Sequence, residues 1–161
     1  MIIHDLKENQ INKIKFKKDD YVLDANRCKN YCIGCFSCWI KHPTKCIYND
    51  DFNNMVGILK DADSLIIISR SRYGTYSTPI KKVLERLIGY VLPYFTIRDG
   101  MIHHETRYTK KLNFNCYFYG DIKKEEENNL LNIVKANSIN LNANYKVNFL
   151  NNYKEIKKCI L

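Results

Sequence analysis

The stretch SLIIISRSRYGTYSTPI, residues 64–80, decides the fold class. Its unbroken aliphatic run Leu65–Ile68 predicts a central parallel strand over 64–69, because such a strand is covered on both faces and shows no polar alternation. Ser77 is predicted to cap a helix, and Pro79 is tolerated in the first turn of that helix. A buried strand that leads closely into a helix is the building unit of a parallel α/β sheet.

Strands and helices alternate on both sides of this unit. The apolar patterns predict five strands in total, at 2–6, 21–23, 64–69, 112–119 and 145–150. Helices are predicted at 52–59, at 77–91, at 121–137 and at 151–159, with a weaker one between 7 and 20. Residues 93–110 are expected to be an irregular excursion. The alternation predicts a doubly wound α/β sheet with helices on both faces.

Length and composition limit the class of protein. The chain has 161 residues, which suits a single domain over 1–161. No apolar run approaches the roughly 20 residues of a membrane helix, and the N-terminus does not resemble a signal peptide. A cytoplasmic protein without a membrane partner is therefore expected.

The charge of the chain is basic, with a formal net charge of +9. Its lysines are dispersed and are not interleaved with the aromatic side chains that stack on nucleotide bases. Nucleic acid is therefore not expected as a partner, whereas anionic small molecules remain compatible with the charge.

The loop after the third predicted strand, residues 69–77, combines hydroxyls, exposed amides, two tyrosines and a glycine. Amides at a helix N-terminus attract electron-rich groups, and Gly74 allows the backbone to approach a flat ring. An ordinary strand-to-helix turn explains the same residues equally well. Both interpretations remain open at this stage.

Four cysteines fall within fifteen residues, at Cys32, Cys35, Cys38 and Cys46. Four thiolates at this spacing suit an iron–sulfur cluster, such as [4Fe–4S], or a tetrahedral zinc ion. A loop braced by partly buried thiols is the third interpretation. Of the other three cysteines, Cys116 alternates within the fourth strand and is expected in the core.

Two blocks of the chain resemble a known family. Residues 69–86 resemble the flavin-binding stretch of the flavodoxin-like, NAD(P)H-dependent FMN reductase superfamily, and residues 32–51 resemble its iron–sulfur flavoprotein branch. The resemblance implies a flavodoxin-like sheet of order 2-1-3-4-5 and a homodimer or homotetramer. It also implies FMN against the third-strand loop. The implied cofactor-binding residues are Ser69, Arg70, Ser71, Arg72, Tyr73, Gly74, Tyr76, Ser77, Tyr119 and Gly120.

The first strand departs from that family. The family normally continues into a loop with Ser, Thr or Arg that cradles the FMN phosphate, whereas residues 3–9 here contain no hydroxyl and no glycine. They contain Asp5 and Glu8, whose charges oppose a phosphate dianion. Two hypotheses follow: the phosphate is bound by Lys7, Arg70 or Arg72, or flavin binds weakly or not at all.

The sequence therefore supports two functions. The first is an FMN-dependent oxidoreductase that accepts a hydride or electrons from NAD(P)H or from a protein donor. It would act with or without an iron–sulfur cluster. The flavin would perform the chemistry, so no catalytic side chain is expected. The alternative is a flavin-free, metal- or cluster-binding interaction protein on the same scaffold.

Overall fold

The computed structural model describes residues 1–157. This part of the chain forms seven strands: β1 Ile2–His4, β2 Val22–Asp24, β3 Ser64–Arg70, β4 Val91–Arg98, β5 Met101–Thr106, β6 Leu112–Tyr119 and β7 Ala143–Leu150. Its α-helices are α1 Glu8–Ile11, α2 Ser37–Ile40, α3 Met55–Leu59, α4 Thr78–Glu85 and α5 Lys124–Asn140. Short 3-10 turns lie at Ala25–Arg27, Ile88–Tyr90 and Tyr153–Ile156. Cys159 and the end of the predicted last helix lie outside the described residues.

The main sheet has five strands in the order β2-β1-β3-β6-β7, and every neighbouring pair is parallel. The predicted α/β class and five-stranded parallel sheet are confirmed. In chain numbering the order is not the predicted 2-1-3-4-5, because an antiparallel pair, β4 and β5, is inserted before the fourth strand of the sheet.

The inserted hairpin corrects the expectation of an irregular excursion over 93–110. Asp99 and Gly100 both have positive φ angles, 51° and 76°, as a tight two-residue hairpin turn requires. The Asp-Gly pair between two runs of β-branched and aromatic residues is a sequence signal for such a hairpin.

The helix predicted over 77–91 is also shorter than expected, because α4 ends at Glu85. Gly89 lies in the 3-10 turn that follows, and a Cβ atom there would approach Cys38 Cβ to 3.2 Å. Gly is a poor helix former, and here the chain turns to pack closely on the cysteine segment. Leu87 and Tyr90 are nevertheless buried, although they are not helical.

The strand β3 is buried on both faces, as its aliphatic run predicts. Leu65 and Ile67 pack into a large core cluster with residues of α3, α4 and α5. Ile68 packs into a second cluster with Ile14 and Ile156 on the opposite face. Cys116 is a buried core residue, as predicted, and burial raises the pKa of its thiol. Among residues 1–157, none of the helices combines the length and apolar character that a membrane span requires.

The sheet topology determines where a ligand can bind. Chain order reverses between β1 and β3, since β1 is followed outwards by β2 whereas β3 is followed by β6 and β7. Loops that leave neighbouring parallel strands at such a point diverge and leave a crevice at the carboxyl edge of the sheet.

Candidate functional site

A cavity of about 470 Å³ opens at this carboxyl edge, and we call it the edge cavity. It is lined by loops after β1, β2, β3, β6 and β7. Among its lining residues are Asp5, Lys7, Arg70, Arg72, Ser77 and Tyr119. Its volume lies within the range of about 300–1,000 Å³ that small-molecule sites occupy.

The edge cavity is electropositive. Lys7, Arg70 and Arg72 line it, whereas Asp5 is the one carboxylate among the described lining residues. The N-terminus of α4 also faces it through Ser77 and Thr78. A helix N-terminus carries a partial positive charge and unpaired amides, so these groups together favour an anionic ligand.

The Ser77 side chain is buried in the wall of this cavity, beside Asp5. Ser77 is the N-cap of α4, as predicted, but its side chain makes no capping hydrogen bond. Its amide donates to Ser69 Oγ at 3.0 Å, while its own Oγ is buried and interacts with Asp5. A hydroxyl has one donor and two acceptor positions, so Ser77 retains capacity to hydrogen-bond a ligand atom in the cavity.

Asp5 closes the floor of the edge cavity. Its Oδ2 accepts a hydrogen bond from the Arg70 amide at 2.8 Å, and its Oδ1 accepts one from the Tyr119 hydroxyl at 2.9 Å. Burial raises the pKa of Asp5, while the nearby Ser77 side chain and these two donors lower it by a smaller amount. Burial and the adjacent Asp5 carboxylate raise the pKa of Tyr119. The Asp5 side chain therefore already accepts hydrogen bonds from the two donors nearest to the end of β1, the Arg70 amide and the Tyr119 hydroxyl.

The structure brings together half of the ten predicted cofactor-binding residues. The edge cavity is lined by Arg70, Arg72, Ser77, Tyr119 and Gly120. The residues that do not line it are Ser69, Ser71, Tyr73, Gly74 and Tyr76.

Tyr76 belongs to the core. It is 2% exposed, packs on Phe118 with ring centroids 5.3 Å apart, and accepts a hydrogen bond from Asn137 Nδ2 at 3.2 Å. The other tyrosine of the loop, Tyr73, is 91% exposed and has a positive φ of 52°, at the tip of the turn. The two aromatic rings therefore lie in opposite environments, although both tyrosines were predicted to bind the cofactor.

Sequence reasoning missed several residues of the edge cavity. They are Gln10 and Asn26 and, after β7, the segment from Asn151 to Tyr153. Each follows a strand of the same parallel sheet, and the carboxyl ends of such strands meet at one edge. The predicted parallel sheet was therefore a usable signal for these residues.

The four clustered cysteines line a second, smaller cavity of about 80 Å³, which we call the thiol cavity. Cys32, Cys38 and Cys46 are half-buried and Cys35 is exposed. Burial is the main cause that raises the pKa of Cys38, and the nearby thiols of Cys32, Cys35 and Cys46 raise it further. The four thiols are therefore close neighbours. All four predicted metal ligands are thus assembled around one space.

The donor set of the thiol cavity has the chemistry of a soft-metal site, since four thiols can hold tetrahedral zinc or a cubane cluster. In residues 1–157 no group of three or more His, Cys, Asp or Glu side chains is already spaced to hold a metal ion. The four cysteines have the right chemistry and lie around the same cavity, so they fit a zinc ion or a cluster. Their sulfur atoms would have to move closer together to bind it.

One charged side chain, Arg86, lines the thiol cavity among the residues that the structure describes there. Its side chain is fully buried and forms a two-pronged ion pair with Asp50, through Nη2–Oδ1 at 2.7 Å and Nη1–Oδ2 at 2.8 Å. Its Nη1 also donates to Cys28 Sγ at 3.5 Å. This arginine was not foreseen as a site residue.

Asp50 does not cap a helix, because α3, which was predicted over 52–59, begins only at Met55 with Asn54 as its N-cap. Asp50 instead accepts hydrogen bonds from the Phe52 amide at 3.1 Å and from Asn30 Nδ2 at 3.0 Å. The Arg86 guanidinium, as the largest influence, holds the pKa of Asp50 below its usual value. The carboxylate is therefore oriented to hold Arg86.

Comparison with known proteins finds no matching family model, no matching curated protein and no matching solved structure. The functional interpretation therefore depends on the chemistry of the two cavities.

Proposed function

We propose that this protein is an FMN-dependent redox protein of flavodoxin-like fold, which binds the phosphate-bearing end of FMN in the edge cavity. The observation that carries the proposal is the electropositive lining of the edge cavity, where Lys7, Arg70 and Arg72 lie around the N-terminus of α4. Phosphate is an anion with several acceptor oxygens, and it matches these donors in charge and in hydrogen bonding.

The topology supports the same proposal. The edge cavity lies at the point where chain order reverses between β1 and β3, which is the usual ligand position in open α/β sheets. The sequence resemblance to flavin reductases also falls on the loop that connects β3 to α4.

The position of Asp5 specifies how the phosphate would be bound. Its carboxylate already occupies the Arg70 amide and the Tyr119 hydroxyl, so the loop after β1 offers no free cradle at that point. Like charges in one small space repel, and the phosphate is expected on the side of Lys7 and Arg72, away from Asp5.

The division of labour between protein and cofactor is simple in this proposal. FMN supplies the hydride or electron transfer when it is bound, with NAD(P)H or a protein as the donor. Lys7, Arg72 and Ser77 would hold the anionic end of FMN at the carboxyl edge of the sheet. We also propose that the thiol cavity holds zinc or an iron–sulfur cluster, and a cluster there would relay single electrons.

The test compares FMN with riboflavin, which lacks the phosphate. Protein freed of bound small molecules is titrated with each compound, and binding is followed by flavin fluorescence. FMN is expected to bind at least about tenfold more tightly than riboflavin, because charge-assisted hydrogen bonds to phosphate contribute roughly 1.5–3 kcal/mol each. Ser77→Ala should weaken FMN binding and leave riboflavin binding unchanged, whereas Ser71→Ala, a serine in the same loop outside the edge cavity, should change neither. Equal affinities for FMN and riboflavin, or no flavin binding, would contradict the proposal.

A second candidate function is favoured by the Asp5 carboxylate. If it excludes phosphate altogether, the protein is a flavin-free metal- or cluster-binding interaction protein, and the thiol cavity is its functional site. Iron, zinc and flavin measured on one anaerobically purified sample distinguish the two functions. Metal without flavin uptake supports this candidate, and flavin uptake excludes it.

The predicted homodimer or homotetramer stays a prediction. The hairpin of β4 and β5 presents Phe95, Ile97 and Ile102 on one face, and each of these side chains is at least two-thirds exposed. An apolar face of this kind is typical of a surface that another protein chain covers.

A further inference from the structure

We propose that Arg86 is the fixed counter-charge of the thiol cavity and makes it selective for a negatively charged four-thiolate complex. Arg86 would be a positioning residue, because it acts on the complex through charge and hydrogen bonding and is not a metal ligand. The inference rests on the proposed metal-binding function of that cavity and specifies the chemistry that the cavity accepts.

The geometry places a positive charge against the thiols. The Arg86 side chain is fully buried and lines the thiol cavity, whereas Asp50 does not line it and its side chain is 24% exposed. The ion pair is therefore oriented, with its positive end towards the sulfur atoms and its negative end towards solvent. Cys46 is among the side chains that interact with Arg86.

Part of the hydrogen-bonding capacity of Arg86 is unused. Its Nη1 and Nη2 donate to Asp50, and Nη1 also contacts Cys28 Sγ, but the buried Nε has no partner in the described part of the chain. Buried guanidinium donors are normally paired, so an unpaired one beside four thiols indicates an acceptor that arrives with the ligand. A thiolate or sulfide sulfur is such an acceptor.

The rest of the thiol cavity cannot provide this charge. Its other described lining residues are the four cysteines and apolar or aromatic groups, including Ile33, Phe36 and Ile47. Four thiolates around a zinc ion or a [4Fe–4S] core carry a net charge of about −2. Burying a charge in an apolar space is costly unless an opposite charge is close, so the complex depends on Arg86.

The position of Arg86 is held from several sides. Its guanidinium lies 5.4 Å from the ring centroid of Tyr48 and 5.7 Å from that of Phe52. Asn30 and the Phe52 amide in turn hold the Asp50 carboxylate. Such support keeps the charge in place before a metal arrives, which is how groups behind metal ligands commonly raise affinity.

The experiment measures zinc affinity by chelator competition, with Co²⁺ as the spectroscopic probe, on reduced full-length protein. Arg86→Gln is expected to weaken zinc binding by about 10–100-fold, the usual effect of removing a group behind metal ligands. Arg86→Lys should recover a large part of the affinity, because it restores the charge. Arg27→Gln is the matched control, since Arg27 is exposed, pairs with Asp51 and does not line the thiol cavity.

A double variant separates charge from folding. Arg86→Gln leaves Asp50 unpaired, whereas Arg86→Gln with Asp50→Asn removes both charges and retains similar shapes, so it carries the test if the single variant does not fold. The double variant is expected to bind zinc as weakly as Arg86→Gln while regaining thermal stability without metal. Wild-type zinc affinity in the double variant would overturn the inference, because the single variant would then fail only through the unpaired Asp50.

The proposed function and this inference fail in different ways. If the unaltered protein takes up neither zinc nor, with iron and sulfide under anaerobic conditions, a cluster, the metal function fails and the inference fails with it. If the unaltered protein binds metal and Arg86→Gln binds it equally well, only the inference is overturned.

Discussion

The two cavities of this protein are built in different ways. The edge cavity is open, charged and assembled from five separate loops at one end of a parallel sheet. The thiol cavity is small and almost wholly apolar, and nearly all of its described lining comes from residues 32–48, with Arg86 and Ile88 added from the segment that follows α4. The first site is a consequence of topology, and the second is a consequence of local spacing. Changes at one should therefore leave the other intact.

The largest expected effect comes from removing one thiol. Cys38→Ala should lower zinc affinity by about 100-fold or more, because the binding free energy of a four-thiolate zinc site is large and depends on all four ligands. FMN affinity should be unchanged, since Cys38 does not line the edge cavity. Both affinities can be measured on the same preparation.

Cys116→Ala is the matched control for that experiment. Cys116 is a buried cysteine in the main sheet, outside the thiol cavity, so its loss should reduce stability and leave zinc affinity unchanged. Equal zinc affinities for Cys38→Ala and the unaltered protein would show that the four thiols do not act as one site.

The contrast between the cavities also explains what the sequence could predict. The thiol cavity was found from the spacing of its four cysteines, because its ligands are neighbours in the chain. Arg86 lies off the apolar stripe of the predicted helix, and in the structure it follows the last residue of α4, so the helical pattern gave no signal of its burial. Its partner Asp50 lies 36 residues away in sequence, and that pairing required the structure.

The edge cavity was predicted only in part, for a physical reason. Arg70, Arg72 and Ser77 follow from the end of an aliphatic strand and the start of a helix, which are local patterns. Whether Tyr76 faces a ligand or the core depends on Phe118 and Asn137, which contact it from distant elements. No periodicity within residues 69–77 distinguishes these two outcomes.

An effect of intermediate size is expected from the ionisation of Asp5, which makes the stability of the protein depend on pH. Burial raises its folded-state pKa above the usual value of 3.8, so the folded protein binds this proton more tightly than the unfolded chain does. Stability from this group is therefore fully present below about pH 3.8 and is lost as pH rises through the folded pKa. Asp5→Asn cannot ionise. The measured quantity is the unfolding free energy of Asp5→Asn minus that of the unaltered protein. This difference should grow as pH rises above about 3.8, to a total of about 1.4 kcal/mol for each unit by which folding raises the pKa of Asp5.

Denaturant unfolding at a series of pH values measures this difference. Asp63→Asn is a suitable control, because Asp63 is exposed and its pKa is lowered by the Lys110 hydrogen bond, so its pH dependence has the opposite sign. A difference for Asp5→Asn that does not change with pH would show that burial does not govern the Asp5 carboxylate.

The smallest expected effect comes from Arg72, which contributes charge to the rim of the edge cavity. Arg72 is exposed, and exposed ionic contacts contribute about 0.2–1 kcal/mol, so Arg72→Gln should weaken FMN binding only about 1.4- to 5-fold. The loss should shrink as salt is added, because screening reduces contacts between exposed charges. Zinc affinity should not change. Lys146→Gln, which removes a positive charge from an exposed position outside both cavities, should leave FMN affinity unaltered at every salt concentration. An equal loss of FMN affinity in Lys146→Gln would mean that FMN binding depends only on the net charge of the protein. Specific recognition of the phosphate by the edge cavity would then be contradicted.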